Sequence, residues 1–214
     1  MIQSVAILEI SALGAALMVL DAAEKAALVK LLQTELNDYY GYVIKLQADP
    51  ASLRAAVQAA REMAESLRAK CVTTIIDAPD TRGWPVIESG REYQPLIEQD
   101  VVFFPKTNHP TEGKTITKDI PMSTQESFAI GLIETQGFTA VIEAIDTACK
   151  AANVEVLGKE KLGGGYITIL IRGDVAAVRA AIDAGQEKVD GLGNLIAAHV
   201  IPRPSPGILA LLPA

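Results

Sequence analysis

The feature that most constrains this chain is that it repeats itself. Val5-Ala6-Ile7-Leu8-Glu9 is echoed by Ile130-Gly131-Leu132-Ile133-Glu134, and the two glutamates stand 125 positions apart (134 − 9). At the same offset Asp21 meets Asp146, Lys25-Ala26-Ala27 meets Lys150-Ala151-Ala152, Val29 meets Val154 and Leu32 meets Leu157. A gap of one residue then aligns Gly41-Tyr42 with Gly165-Tyr166, after which Asp49 falls on Asp174 and Arg54-Ala55-Ala56 on Arg179-Ala180-Ala181. A self-similar period of this length means two copies of one domain, diverged, and decides the architecture before any element is assigned.

The second copy is the easier to read. Phe128 to Glu134 reads as a strand. Beyond Gly137, Val141, Ile142, Ile145, Ala148 and Cys149 recur at helical spacing with Glu143, Asp146 and Lys150 opposite, an amphipathic helix stopping near Asn153. Val154 to Leu157 reads as a second strand, and Gly163-Gly164-Gly165 turns it into the β-branched run Tyr166 to Ile171. Asp174 is an N-cap signal for the next helix, Leu195 to Ile201 is the last strand, and Ile208 to Leu212 is one short helical turn packed on a neighbour. The expected fold class is α+β: two tandem βαββαβ domains related to the ferredoxin-like fold, each an antiparallel sheet with helices packed on it. The expected divisions are residues 1–80, a linker at 81–126, and residues 127–214. Prolines at 79, 85, 95, 105, 110 and 121 exclude long helices around the linker, and Leu96-Ile97 and Val101 to Phe104 are apolar enough to lie against a domain surface.

Composition narrows the function. Half of the residues are hydrophobic but only 5% are aromatic, so small and branched side chains build the core and leave apolar surface for an oligomer. The formal net charge is −7 and no basic cluster is interleaved with aromatics, which argues against nucleic acid as a partner. The apolar run Ala12 to Leu20 is broken by Asp21, short of the ~20 residues of a membrane span, and lacks signal-peptide flanks. A protein of the cytosol with no membrane partner is expected. Cys71 and Cys149 form no CxxC and have no ligand neighbours, so no metal and no cofactor are expected, and His109 and His199 are isolated and receive no role. No P-loop, GxSxG, HExxH or dinucleotide fingerprint occurs, and the chain reads as a non-enzyme with no catalytic residues.

Several separated motifs of the second half, in order, carry a resemblance. They are Ala129-Ile130-Gly131-Leu132-Ile133-Glu134-Thr135, Asp146 to Val154, Lys161-Leu162-Gly163-Gly164-Gly165-Tyr166, Arg172-Gly173-Asp174-Val175, and His199-Val200-Ile201-Pro202-Arg203-Pro204. They closely resemble the bacterial microcompartment shell domain, and the first half resembles a degenerate copy. The resemblance implies cyclic hexamers, or homotrimers of fused pairs, tiling edge to edge into a shell in the bacterial cytoplasm. It further implies other shell proteins as partners, both hexamers and pentameric vertex proteins, and small metabolites in transit through a central pore. Each half opens on the strand that opens the family domain, which resembles the unpermuted tandem type.

In the family the turn after the second strand lines the pore. That role carries over to Leu162, Gly163, Gly164 and Gly165 in the second copy and to Asn37, Asp38, Tyr39 and Tyr40 in the first. Glycines there would present backbone amides to the opening. By itself the glycine run also reads as a tight hairpin needing positive φ. Three copies of Asp38 would make an acidic ring favouring cations; the alternative is that Asp38 is solvated and the tyrosines fold into packing. Members with an iron–sulfur cluster in the pore carry cysteine at this turn, and neither turn here has one. Lys150, Asn153 and Arg203, with Lys25 in the first copy, match positions that lie at the rim and contact adjacent tiles. Leu28 stands where the second copy has Asn153, and Arg203 has no clear counterpart. One other function stays open from the sequence: a trimeric, ferredoxin-like regulatory protein binding a small metabolite at subunit clefts.

Overall fold

A computed structural model describes residues 4–37, 41–105 and 128–212. The first copy runs β1 (Ser4–Ser11), α1 (Leu13–Ala26), β2 (Lys30–Asn37), β3 (Gly41–Ala48), α2 (Pro50–Ser66) and β4 (Cys71–Ile76). The linker contributes α3 (Trp84–Ile87) and the two-residue strands β5 (Tyr93–Gln94), β6 (Gln99–Asp100) and β7 (Val102–Phe103). The second copy runs β8 (Ala129–Gln136), α4 (Phe138–Ala151), β9 (Glu155–Gly163), β10 (Tyr166–Gly173), α5 (Val175–Gln186) and β11 (Asn194–Pro202), and closes with α6 (Pro206–Leu211). Both copies are βαββαβ. Their sheets share one order, β4-β1-β3-β2 and β11-β8-β10-β9, antiparallel throughout, and β7 extends the first along β2.

Alternation along the first strand of each copy explains the layers, because successive side chains of a strand face opposite ways. Ala6, Leu8 and Ile10 are fully buried under the packed pair α1 and α2. In the second copy the same role falls to Ala129, Gly131 and Ile133 beneath α4 and α5. Gly131 is required there, since a Cβ would stand 2.7 Å from Val178 Cγ1 and 2.8 Å from Ile171 Cγ1. Asp49 and Asp174 cap α2 and α5, each accepting two main-chain N–H bonds, which is the N-cap read at Asp174.

Three details depart from the sequence reading. The offset of 125 needs no gap. Gly41 pairs with Ser11 while Tyr166 pairs with Gln136, so Gly41 occupies the place of Tyr166 and not of Gly165. A bulge at Leu162 and a two-residue turn in the second copy match the three residues that separate β2 from β3 in the first, and the shared Gly-Tyr dipeptide is a coincidence of composition. The second strand of that copy runs well past Leu157, to Gly163, because polar Lys159 to Lys161 sit on an edge strand where water receives them. Leu96 is 92% exposed, whereas Val102 is buried through its pairing with β2.

Candidate functional site: the domain joint, the paired turns and the rim

The two copies meet through an off-centre joint. The face of the second sheet turned away from its own helices presents Ile130, Leu132, Ala197 and Ile201 to α1, and one continuous core holds Leu13, Leu17 and Leu20 with Ile130, Leu132, Leu170 and Ile201. Gly14 lets the helix approach, since a Cβ there would stand 2.8 Å from Leu132 Cδ1 and 3.0 Å from Ala197 Cβ. The first-turn amides of a helix have no partner within the helix. Here the buried Glu134 carboxylate of β8 supplies one, accepting from Leu13 N at 3.2 Å and Gly14 N at 2.8 Å. Burial pushes the Glu134 carboxyl above its ordinary range, and those two bonds pull against the shift.

A strap from the second copy locks the joint. Ser205 N donates to Asp21 Oδ1 at 2.9 Å and Gly207 N to Glu24 Oε2 at 2.8 Å, while Ile208 of α6 is fully buried beside α1. The short helical turn expected at 208–212 thus packs on the first copy of its own chain. In the sequence Glu134 was legible only as a marker of the repeat. Its signal was a charged residue, present in both copies, inside an otherwise apolar strand.

The pseudo-equivalent joint is open. Adding 125 to Leu13 and Leu17 gives Phe138 and Ile142 of α4, which are 52% and 47% exposed where their counterparts are buried. Subtracting it from Ala197 and Ile201 gives Val72 and Ile76 of β4, exposed where theirs are covered. Accordingly α1 is buried on nearly all sides, and α4 buries only the stripe Ala140, Val141, Ala144 and Ala148.

The β9–β10 turn carries Gly163, Gly164 and Gly165 at φ of 85°, 58° and 82°, the left-handed values a tight hairpin needs. Its carbonyls are tied back to β8: Gly165 O accepts from Gly137 N at 3.0 Å and Gly164 O from Gln136 Nε2 at 3.1 Å. Asn37 ends β2 beside Gly41, and Asp38, Tyr39 and Tyr40 lie outside the described residues. The linker holds both hairpins just before their turns. Leu36 N donates to Val101 O at 2.8 Å, and the Gln99 carboxamide bonds both the N–H and the carbonyl of Lys161, as a neighbouring strand would. Leu162, Gly163 and Gly164, with Glu35, Leu36, Glu92 and Ile97, wall a cleft of about 560 Å³ between linker and turn.

The rim residues separate into two groups. Lys25 Nζ bonds Asp21 Oδ2 at 2.6 Å and Pro202 O at 3.2 Å, which sets it beside the segment carrying Arg203. Lys150 makes the matching pair with Asp146 at 2.5 Å but is 75% exposed. Asn153 is exposed on a cleft of about 760 Å³ shared with Phe128, Glu155 and Arg172, and Leu28 in its place in the first copy is 93% exposed. His199 is half-buried on β11, where desolvation lowers its pKa, and His109 lies outside the described residues. Burial raises the thiol pKa of Cys71, which opens β4, and of Cys149 on α4. Among the described residues no three His, Cys, Asp or Glu side chains cluster as metal ligands, and no helix is long and apolar enough to cross a membrane.

Comparison with known proteins agrees with this twofold plan. The BMC domain matches residues 4–79 and again 129–204. Bacterial microcompartment shell protein PduA of Citrobacter freundii is 49% identical over 85 residues, 40% of this chain and 91% of that protein. Bacterial microcompartment shell protein EutM of Salmonella typhimurium is 51% identical over 76 residues, 36% and 79% of the two chains. Carboxysome shell protein CsoS1B of Hydrogenovibrio crunogenus is 48% identical over 84 residues, 39% and 87%. A solved microcompartment protein from Desulfitobacterium hafniense DCB covers 96% of this chain and 97% of its own at 24% identity and a TM-score of 0.37. With two BMC domains in succession, the chain belongs to the bacterial microcompartment shell proteins, as a tandem-domain member.

Proposed function

We propose that three copies of this chain close head to tail into a pseudohexagonal tile of a microcompartment shell, pierced by a pore that passes small metabolites. One observation carries the reading: the joint inside the chain is complete, and the two halves of an equivalent joint, Phe138 and Ile142 of α4 on one copy and Val72 and Ile76 of β4 on the other, stand exposed on the same chain. Surfaces that are complementary but not self-complementary join head to tail, and such contacts close into rings or run on as filaments. Six domain positions filled two at a time make a homotrimer. Residues 1–80 and 127–214 are its two kinds of position, and 81–126 braces them.

In that ring Asn37 to Tyr40 and Leu162 to Gly165 alternate around the axis, while Lys25, Lys150, Asn153 and Arg203 face neighbouring tiles. The tile's partners are then further shell proteins, hexamers on its flat edges and pentamers at vertices, and its role is a barrier and passage, without catalysis. Light scattering paired with electron microscopy at rising concentration tests this. The expected result is a particle of three 22.7 kDa chains with near-hexagonal outline that forms sheets alone or with a hexameric shell protein. A lasting monomer, or a trimer that never tiles, would favour the metabolite-binding alternative.

A further inference from the structure

We infer that Glu9 is a clasp between subunits: its carboxylate accepts the first-turn amides of the partner's Phe138 and the partner's Thr139, reproducing between chains what Glu134 does within one. This rests on the ring reading above and names the residue that closes it.

The internal joint is the template. Glu134 lies on the outer face of β8 and caps α1 through Leu13 and Gly14. At the constant offset Glu9 lies at the same register of β1, opposite Val43 of β3 and Val72 of β4. Glu9 is half-buried, and its carboxylate has no hydrogen-bond or ion-pair partner among the described residues. The recipient is equally prepared. Helix α4 is 14 residues long, as α1 is, begins after a residue of positive φ as α1 does, has no side-chain cap and carries no acidic residue in its first turn. Its first amides are therefore orphan donors waiting for an acceptor from outside the helix. Around both groups lie the exposed apolar residues that would dry the contact, Val72 and Ile76 on one side and Phe138 and Ile142 on the other.

The copies are not identical, and the difference sets the spacing. Where the internal joint has Gly14 against Ala197, the joint between chains would have Thr139 against Val72. A Cβ at residue 14 already falls at 3.0 Å from Ala197 Cβ, so the second joint must sit wider, with Phe138 in place of Leu13 filling the added space.

The test combines sedimentation equilibrium with amide hydrogen exchange on the full chain and its Glu9→Ala and Glu9→Gln variants. Wild type should associate, and the Phe138 and Thr139 amides should slow their exchange on association. Glu9→Ala should weaken each joint roughly tenfold, on the scale of a lost helix cap, and restore fast exchange at those two amides, with Glu9→Gln between the two. Protection of Leu13 and Gly14 should persist in every variant, which separates a lost clasp from a lost fold. If wild type associates and Glu9→Ala matches it in affinity and in exchange at Phe138 and Thr139, the clasp is overturned while the ring stands. A wild type that stays monomeric overturns the ring and the clasp with it.

Discussion

The Glu134 carboxylate holds the Gly14 amide at 2.8 Å across the boundary between the two copies, a buried charge capping a helix 120 residues earlier in the chain. Because burial raises its pKa, folding takes up a proton at this group. Its stabilising contribution is therefore in place below the ordinary carboxylate range and is lost as pH rises through the raised value. Urea unfolding of wild type should show that decline between mildly acid and neutral pH. Glu134→Gln, which keeps one acceptor oxygen and has no charge to bury, should flatten it, leaving stability independent of pH across that range.

Ala12 has φ of 72° and ψ of 140° at the position where the second copy has Gly137, at φ of 128°. A side chain in that region costs about 1–3 kcal/mol, and replacing Ala by Gly returns about 0.4–1 kcal/mol of that to the unfolded chain. Ala12→Gly is expected to stabilise the protein by about 1 kcal/mol, read as a rise of a few degrees in Tm.

Lys45 is buried and bonds Gln33 Oε1 at 2.8 Å and Glu35 Oε1 at 2.6 Å, with Ser89 Oγ of the linker at 3.4 Å. The second copy has Leu170 at this position, inside an apolar core. Lys45→Leu alone should destabilise by about 3 kcal/mol, because it strands a partly buried carboxylate and a buried amide. Limited proteolysis should cut near Ser89 in that variant and spare the wild type.

Lys25 is engaged at the internal joint, whereas Lys150 projects from α4 into solvent with Asp146 as its partner. Under the tile reading Lys150→Ala should leave the mass of the trimer unchanged and raise the concentration at which sheets appear in the microscope. Sheets forming as readily as wild type would remove Lys150 from the rim.

Three copies of Asp38 would bring three negative charges to one opening. Asp38→Ala should then reduce the preference of reconstituted shells for cationic over anionic solutes of equal size, measured by leakage. Indifference to the change would mean that the residue faces away from the pore.

The repeat alone determined a great deal about this protein. Apolar alternation and the turn glycines set the βαββαβ order in each copy, and Asp174 announced its helix, because strand faces, hairpins and caps are written by neighbours within a few positions. The shared Gly-Tyr misled at one point, since sequence identity cannot see the register that a bulge at Leu162 preserves. What only the tertiary structure decided was which of two equivalent surfaces is used inside the chain. Leu13 and Phe138 are equally apolar, and Glu134 and Glu9 are the same residue, yet Leu13 and Glu134 are buried while Phe138 is exposed and Glu9 only half-buried. That distinction depends on the path of the linker and the strap at Ser205 to Leu211, which bring α1 of one copy onto the back of the other's sheet. It is a contact between residues more than a hundred positions apart, and no local pattern carries it.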